Sequence, residues 1–171
     1  NAKAKAQSVK CLNNTRELMK AWLLYAGDFE ERVCNNFGVA ETLRAIQTER
    51  YDNWVNNVMG WGASGSIQDR SITNVAWVRN GVLAQYTASA VGVYQCPADK
   101  FLSRAQVAAG FNKRIRSNVM NSFFGRFDGS NPNDPTLRGR NALLPQYRQF
   151  MKTTDVPEPA LTWVTMDEHP D

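Results

Sequence analysis

Histidine is almost missing from this chain, which has a single one, His169, in 171 residues. Any imidazole-dependent general base or Ser-His-Asp arrangement must use that residue. No run approaches the roughly 20 apolar residues of a membrane span, and no secretory signal occurs. Phosphate-loop, dinucleotide and zinc-helix motifs are missing too. The three cysteines, Cys11, Cys34 and Cys96, fit neither a zinc spacing nor a Cys-x-x-Cys redox pattern. One compact polar cluster remains for proton transfer or metal binding: Asp167, Glu168, His169 and Asp171. Its plainer reading is an exposed strand end, so catalysis is not expected.

Hydrophobic residues make up 43% of the chain and charged residues 21%, ordinary values for a folded domain. A chain of this length buries roughly 70% of its unfolded surface, enough for one core, and one domain over residues 1–171 is expected. The net charge is +4. Residues 101–150 hold Arg104, Lys113, Arg114, Arg116, Arg126, Arg138, Arg140 and Arg148 against only Asp128 and Asp134, a balance of +6. With Phe111, Phe123, Phe124, Phe127 and Tyr147 interleaved, this composition suits a polyanion-binding face. Arginines spread this widely more commonly cover a solvated surface, and nucleic acid is not the expected partner.

The strongest pattern is amphipathic. Across residues 2–26, Val9, Leu12, Met19, Trp22, Leu23 and Ala26 recur at helical spacing, with Lys3, Lys5, Lys10, Arg16, Glu17 and Lys20 between them. Gly27, able to take a left-handed conformation, and Asp28 end the pattern. The first six residues have little apolar surface, and the chain opens on Asn. Both features suggest that the helix continues upstream in a longer protein.

Beyond it the chain reads as short elements joined by polar turns. Residues 41–50 carry a brief helical pattern through Leu43 and Ile46. Trp54, Val55, Val58, Met59 and Trp61 then mix with Asn and Gly. Val75 and Trp77 suggest a strand end, followed by a short helix starting near Asn80. Residues 91–94 read as an apolar strand leading to Cys96-Pro97. Residues 114–124 read as a half-buried strand with Ile115, Ser117, Val119 and Asn121 on one face, and residues 161–166 as a final strand. One long helix followed by short strands predicts an α+β domain, with the helix covering a mainly antiparallel sheet. Cys96, held near the core by the Pro97 turn, is the best-placed member of any disulfide, but spacing leaves all three pairings open, and buried free thiols acting as small apolar groups are an equal alternative.

Two segments carry a family resemblance: Ala4-Lys5-Ala6-Gln7-Ser8-Val9-Lys10-Cys11-Leu12-Asn13-Asn14 running into Ala21-Trp22-Leu23-Leu24-Tyr25-Ala26, and Leu161-Thr162-Trp163-Val164-Thr165-Met166-Asp167-Glu168-His169-Pro170-Asp171. Both resemble bacterial prepilin-type proteins, in particular the pseudopilin-like group with a C-terminal motif of His, nine spacer residues and Asp-Gly. Asn80-Gly81-Val82-Leu83, Tyr94-Gln95-Cys96-Pro97-Ala98-Asp99 and Arg116-Ser117-Asn118-Val119-Met120-Asn121 resemble its middle region. The Asp-Gly half of the motif is not in this sequence.

The resemblance implies a pilin-like fold and a structural subunit of a type II secretion pseudopilus or type IV pilus-like filament. Residues 1–27 would be the soluble half of the N-terminal helix and residues 28–171 the head. It further implies an inner-membrane anchor, with the head in the periplasm or on the cell surface. Partners would be other pseudopilin subunits, a prepilin peptidase and the inner-membrane secretion machinery. Within that family Cys11 and Cys96 match recurring positions, which makes them the preferred disulfide. Related secretion pseudopilins order a C-terminal loop around calcium. The oxygen-rich loop of Asp128, Ser130, Asn131, Asn133 and Asp134 is the candidate ligand set here, set against a plain turn cluster. An alternative function is an extracellular module that binds polysaccharide through Trp54, Trp61 and Trp77, or DNA through the arginine-rich stretch.

Overall fold

The computed structural model describes residues 2–127, 139–141 and 143–168. Helix α1 runs Ala2–Asp28, 27 residues without proline and rich in alanine, leucine and lysine, all strong helix formers. Gly27, expected to close the helix, lies inside it. The left-handed residues that end it are Glu30 (φ 55°) and Glu31 (φ 64°), and the Glu31 amide donates to the Ala26 carbonyl at 2.8 Å. The reversal sits where Phe29 stacks on Tyr25, ring centroids 4.4 Å apart, and where Val33 reaches the Met151 carbonyl. Tertiary contacts, rather than the most permissive residue, place the turn.

The buried stripe of α1 is rotated from the expected one. Val9, Leu12 and Leu23 are exposed, whereas Asn14, Leu18, Ala21, Trp22 and Ala26 are buried. Both sets have helical spacing, and only Trp22 and Ala26 belong to both. Trp22 packs edge-on against Phe124 at 5.5 Å. Around it lies one hydrophobic cluster that includes Leu18, Val33, Trp54, Val78, Leu83, Tyr94, Ile115, Met120 and Val164.

Four short helices follow among the described residues: α2 (Val39–Gln47), α3 (Ile67–Ser71), α4 (Val75–Arg79) and α5 (Arg104–Ala108). Side-chain caps start the last three. Ser66 accepts from the Asp69 amide, Asn74 from the Ala76 amide, and Ser103 forms a reciprocal capping box with Gln106. Val75 and Trp77 therefore lie in a helix rather than at a strand end, and Asn80 closes that helix instead of starting one.

Only two strands occur among the described residues, β1 (Asn118–Met120) and β2 (Thr165–Asp167). They pair antiparallel, with Val119 opposite Met166. The architecture is thus α+β with a minimal sheet. The strand expected at 91–94 is a 3₁₀ turn, Val91–Tyr94. That expected over 114–124 contracts to β1, because residues 114–118 are all buried and an alternating half-buried face does not form. The final strand begins at Thr165, after a 3₁₀ turn at Pro159–Leu161 that leaves Leu161 80% exposed.

Buried asparagine amides replace much of the missing ladder. Asn36 donates to the Met120 and Asn121 carbonyls, and Asn53 donates to Val55 O while accepting from the Phe37 amide. Each bonds backbone that strand pairing would otherwise satisfy. Gly125 allows one further close approach: its φ is +70°, and a Cβ there would collide with the Cys34 carbonyl.

Candidate functional site

Four elements converge where α1 meets the head. Cys11 on α1 is disulfide-bonded to Cys96, which follows the Val91–Tyr94 turn. The Cys96 amide donates to Ser117 Oγ at 2.7 Å, and that hydroxyl donates to Asp167 Oδ1 at 2.6 Å on β2. One turn further along α1, the Asn14 amide donates to the carbonyls of Gly92 (3.0 Å) and Gln95 (2.8 Å). Towards the N-terminus, Gln7 donates to Pro97 O at 3.2 Å. The buried Asp99–Arg114 pair, 2.7 Å apart, braces the same segment from the far side, and Gln95 donates to the Arg114 carbonyl.

The pairing preferred from the family resemblance is therefore the one found, and Cys34 is the free thiol. Burial holds Cys34 far above the usual thiol range, so it behaves as a small apolar core group. Cys11, Cys96 and Asp167 bring potential ligand atoms within 4.8 Å of one another. With the two sulfurs bonded to each other neither is a thiolate, and the carboxylate is engaged by Ser117. The bond joins α1 covalently to the segment that follows the Val91–Tyr94 turn.

The other sequence-predicted residues are scattered. Asp128, Ser130, Asn131, Asn133 and Asp134 lie outside the described residues, as do His169 and Asp171. Trp54 is 2% exposed beneath Tyr94, Trp77 is half-buried, and only Trp61 stands open to solvent, so the three indoles form no shared platform. Trp61 meets Phe101 edge-on at 5.4 Å, and the Arg114 guanidinium lies 4.6 Å from its ring centroid. The arginine-rich stretch is likewise divided. Arg114 and Arg116 are buried, while Arg104, Arg140 and Arg148 are exposed.

Sequence reasoning missed Asn14, Asp99 and the burial of Arg114 and Arg116. Asn14 was legible in principle, since it falls on the 11-14-18-21 row of α1 and is the polar member of an otherwise apolar face. Nothing local marks the two arginines as interior.

No protein family, curated protein or solved structure matches the chain. Among the described residues, no helix is long and apolar enough to cross a membrane.

Proposed function

We propose that this chain is the head and proximal stalk of a pseudopilin-like subunit. On this reading it acts by assembly in a type II secretion pseudopilus or type IV pilus-like filament. The observation that supports the reading is the asymmetry of α1. Its residues 2–10 are exposed apart from half-buried Gln7, its residues 14–26 dock on the head, and Cys11–Cys96 fastens the two at the crossover. A covalent tie spanning 85 residues at the point where a rod leaves its head makes the two one mechanical unit. Such a bond belongs in an oxidising compartment, which agrees with a head outside the cytoplasm on an inner-membrane anchor. Other pseudopilin subunits, a prepilin peptidase and the inner-membrane secretion machinery are the corresponding partners.

The decisive experiment reads the coding sequence upstream of Asn1 and expresses the whole product with and without a prepilin peptidase. The expected result is a stretch of about 20 apolar residues behind a basic leader, and a mobility shift that needs the peptidase. A coding sequence without that stretch overturns the proposal. The exposed Trp61–Phe101 pair favours a second reading, a carbohydrate-binding head. Retention on immobilised polysaccharide that Trp61→Ala abolishes would support that reading.

A further inference from the structure

The cavity beside the first turn of α2 measures about 570 Å³ and has a divided wall. Phe37, Val39, Val58, Met59 and Phe127 make most of it apolar, and Arg116 is the one charged side chain among the described residues that line it. Arg116 is only 9% exposed. Its Nε donates to Asn57 Oδ1 at 2.8 Å, its Nη1 to Asn118 O and its Nη2 to Asn57 O, both at 2.9 Å. All three acceptors are neutral. No carboxylate among the described residues lies within ion-pairing distance, and exposed Glu168 acts on Arg116 only through space. Each terminal nitrogen keeps one N–H for a further acceptor.

Arg114, two residues earlier, shows the contrast. It is also buried but faces Asp99 at 2.7 Å. A buried guanidinium without a counter-charge is costly, and burial has already pushed Arg116 down to about 10. An anion in the cavity would offset that cost.

The first turn of α2 adds donors to the same wall. Its N-cap is Gly38, which has no side chain to cap the helix, and the first intrahelical bond is Thr42 N–H to Gly38 O at 3.0 Å. The amides of Val39 and Ala40 precede that bond, and both residues line the cavity with Gly38. Glu41, the acidic residue of this turn, lines the neighbouring cavity with Arg44 and Arg50 instead.

We propose that this cavity binds the carboxylate of a ligand with an apolar body. The carboxylate would sit on Arg116 and the first turn of α2, and the body against Phe37, Met59 and Phe127. A carboxylate's two oxygens match the two remaining guanidinium N–H groups, and the apolar wall disfavours a fully hydrated phosphate. Two sources present this chemistry: a free amphiphilic acid, and a polypeptide C-terminus that follows an apolar residue. The inference is independent of the filament reading.

Nuclear magnetic resonance of ¹⁵N-labelled protein tests it, with octanoate, octanol and N-acetyl-Ala-Ala-Leu carrying a free C-terminus as probes. Octanoate is expected to shift the Val39 and Ala40 amides and the Asn57 side chain saturably, with octanol at least about tenfold weaker. The tighter binder of octanoate and the peptide identifies the source, and either order supports the site. Arg116→Met should abolish the preference for octanoate over octanol. Because that core variant can also fail to fold, Val39→Glu serves as the second. It places a carboxylate on an exposed first-turn position where negative charge suits the helix, and should retain Tm while weakening octanoate about tenfold. Octanol binding as tightly as octanoate, no saturable shift with either acid, or Val39→Glu binding like the parent protein overturns the proposal.

Discussion

Residues 2–10 and 14–26 of α1 share one uninterrupted helix, yet only the second set is packed. Leu18 and Ala21 are fully buried and Trp22 and Ala26 nearly so, whereas Val9 and Leu12 are more than half exposed. The distal half is held to the head by the Cys11–Cys96 bond and the Gln7–Pro97 hydrogen bond. Helical conformation is cooperative, so a docked segment can template a free one that would be marginal alone. The comparison teaches that helix formation and helix docking are separate properties of this sequence. Composition supplies the first, and the head selects the residues that supply the second.

The sharpest way to break this contrast is to truncate one apolar residue in each half. Trp22→Ala leaves a cavity against Phe124 and should lower the free energy of unfolding by about 3–5 kcal/mol. Val9→Ala should change it by less than about 0.5 kcal/mol. Urea unfolding curves for the two variants measure the difference, and equal losses would show that the distal half is packed as well.

Removing the bond at the crossover comes next. The double variant Cys11→Ser, Cys96→Ser should lose about 2–4 kcal/mol, since the cross-link closes a long loop in the unfolded chain. Hydrogen exchange should rise in residues 2–10 while residues 18–26 remain protected, because apolar burial still holds them. Similar exchange rates in the two halves after the substitution would contradict their independence.

Asn14→Ala should cost about 1–3 kcal/mol by leaving the Gly92 and Gln95 carbonyls without their donor. Thermal unfolding reads it, and a neutral result would mean that water replaces the amide.

The smallest effect concerns the far end of α1, where the Tyr86 hydroxyl donates to Asp28 Oδ2 at 2.7 Å. Burial, then this hydrogen bond and the Asp28 charge, push Tyr86 up to about 12 from the ordinary tyrosine value of 10. The folded state therefore holds this proton more tightly than the unfolded chain. Its contribution is complete below pH 10 and is lost as the pH rises towards 12. Burial raises Tyr25 and Tyr94 as well, so absorbance titration at 295 nm should show a late phase that loses one tyrosine's amplitude in Tyr86→Phe, and an unchanged amplitude would exclude the assignment.

Some of this was legible beforehand. The first helix followed from apolar residues recurring at helical spacing with no proline between them, and the brief pattern around Leu43 and Ile46 is α2. The strands were overread. Val91 and Val93 favour a strand by type, but Gly92 O and Gln95 O accept from Asn14, and the segment coils into a 3₁₀ turn beneath α1. Ile115, Ser117, Val119 and Asn121 suggested one buried face, yet Arg114 and Arg116 on the other are buried as well. One pairs with Asp99, and the other bonds Asn57 and Asn118. Partners 15 and 59 residues away leave no trace in local alternation. At the candidate site, the Cys11–Cys96 pairing was suggested by family resemblance, not by spacing.

By itself the sequence determined that a long helix forms, that the class is α+β, and that any imidazole chemistry within it rests on His169. Those properties depend on backbone propensity and residue type, which act locally. Tertiary structure alone decided which face of α1 is buried and which arginines enter the core. Each of those outcomes depends on what stands opposite a side chain, and the opposing groups come from distant parts of the chain.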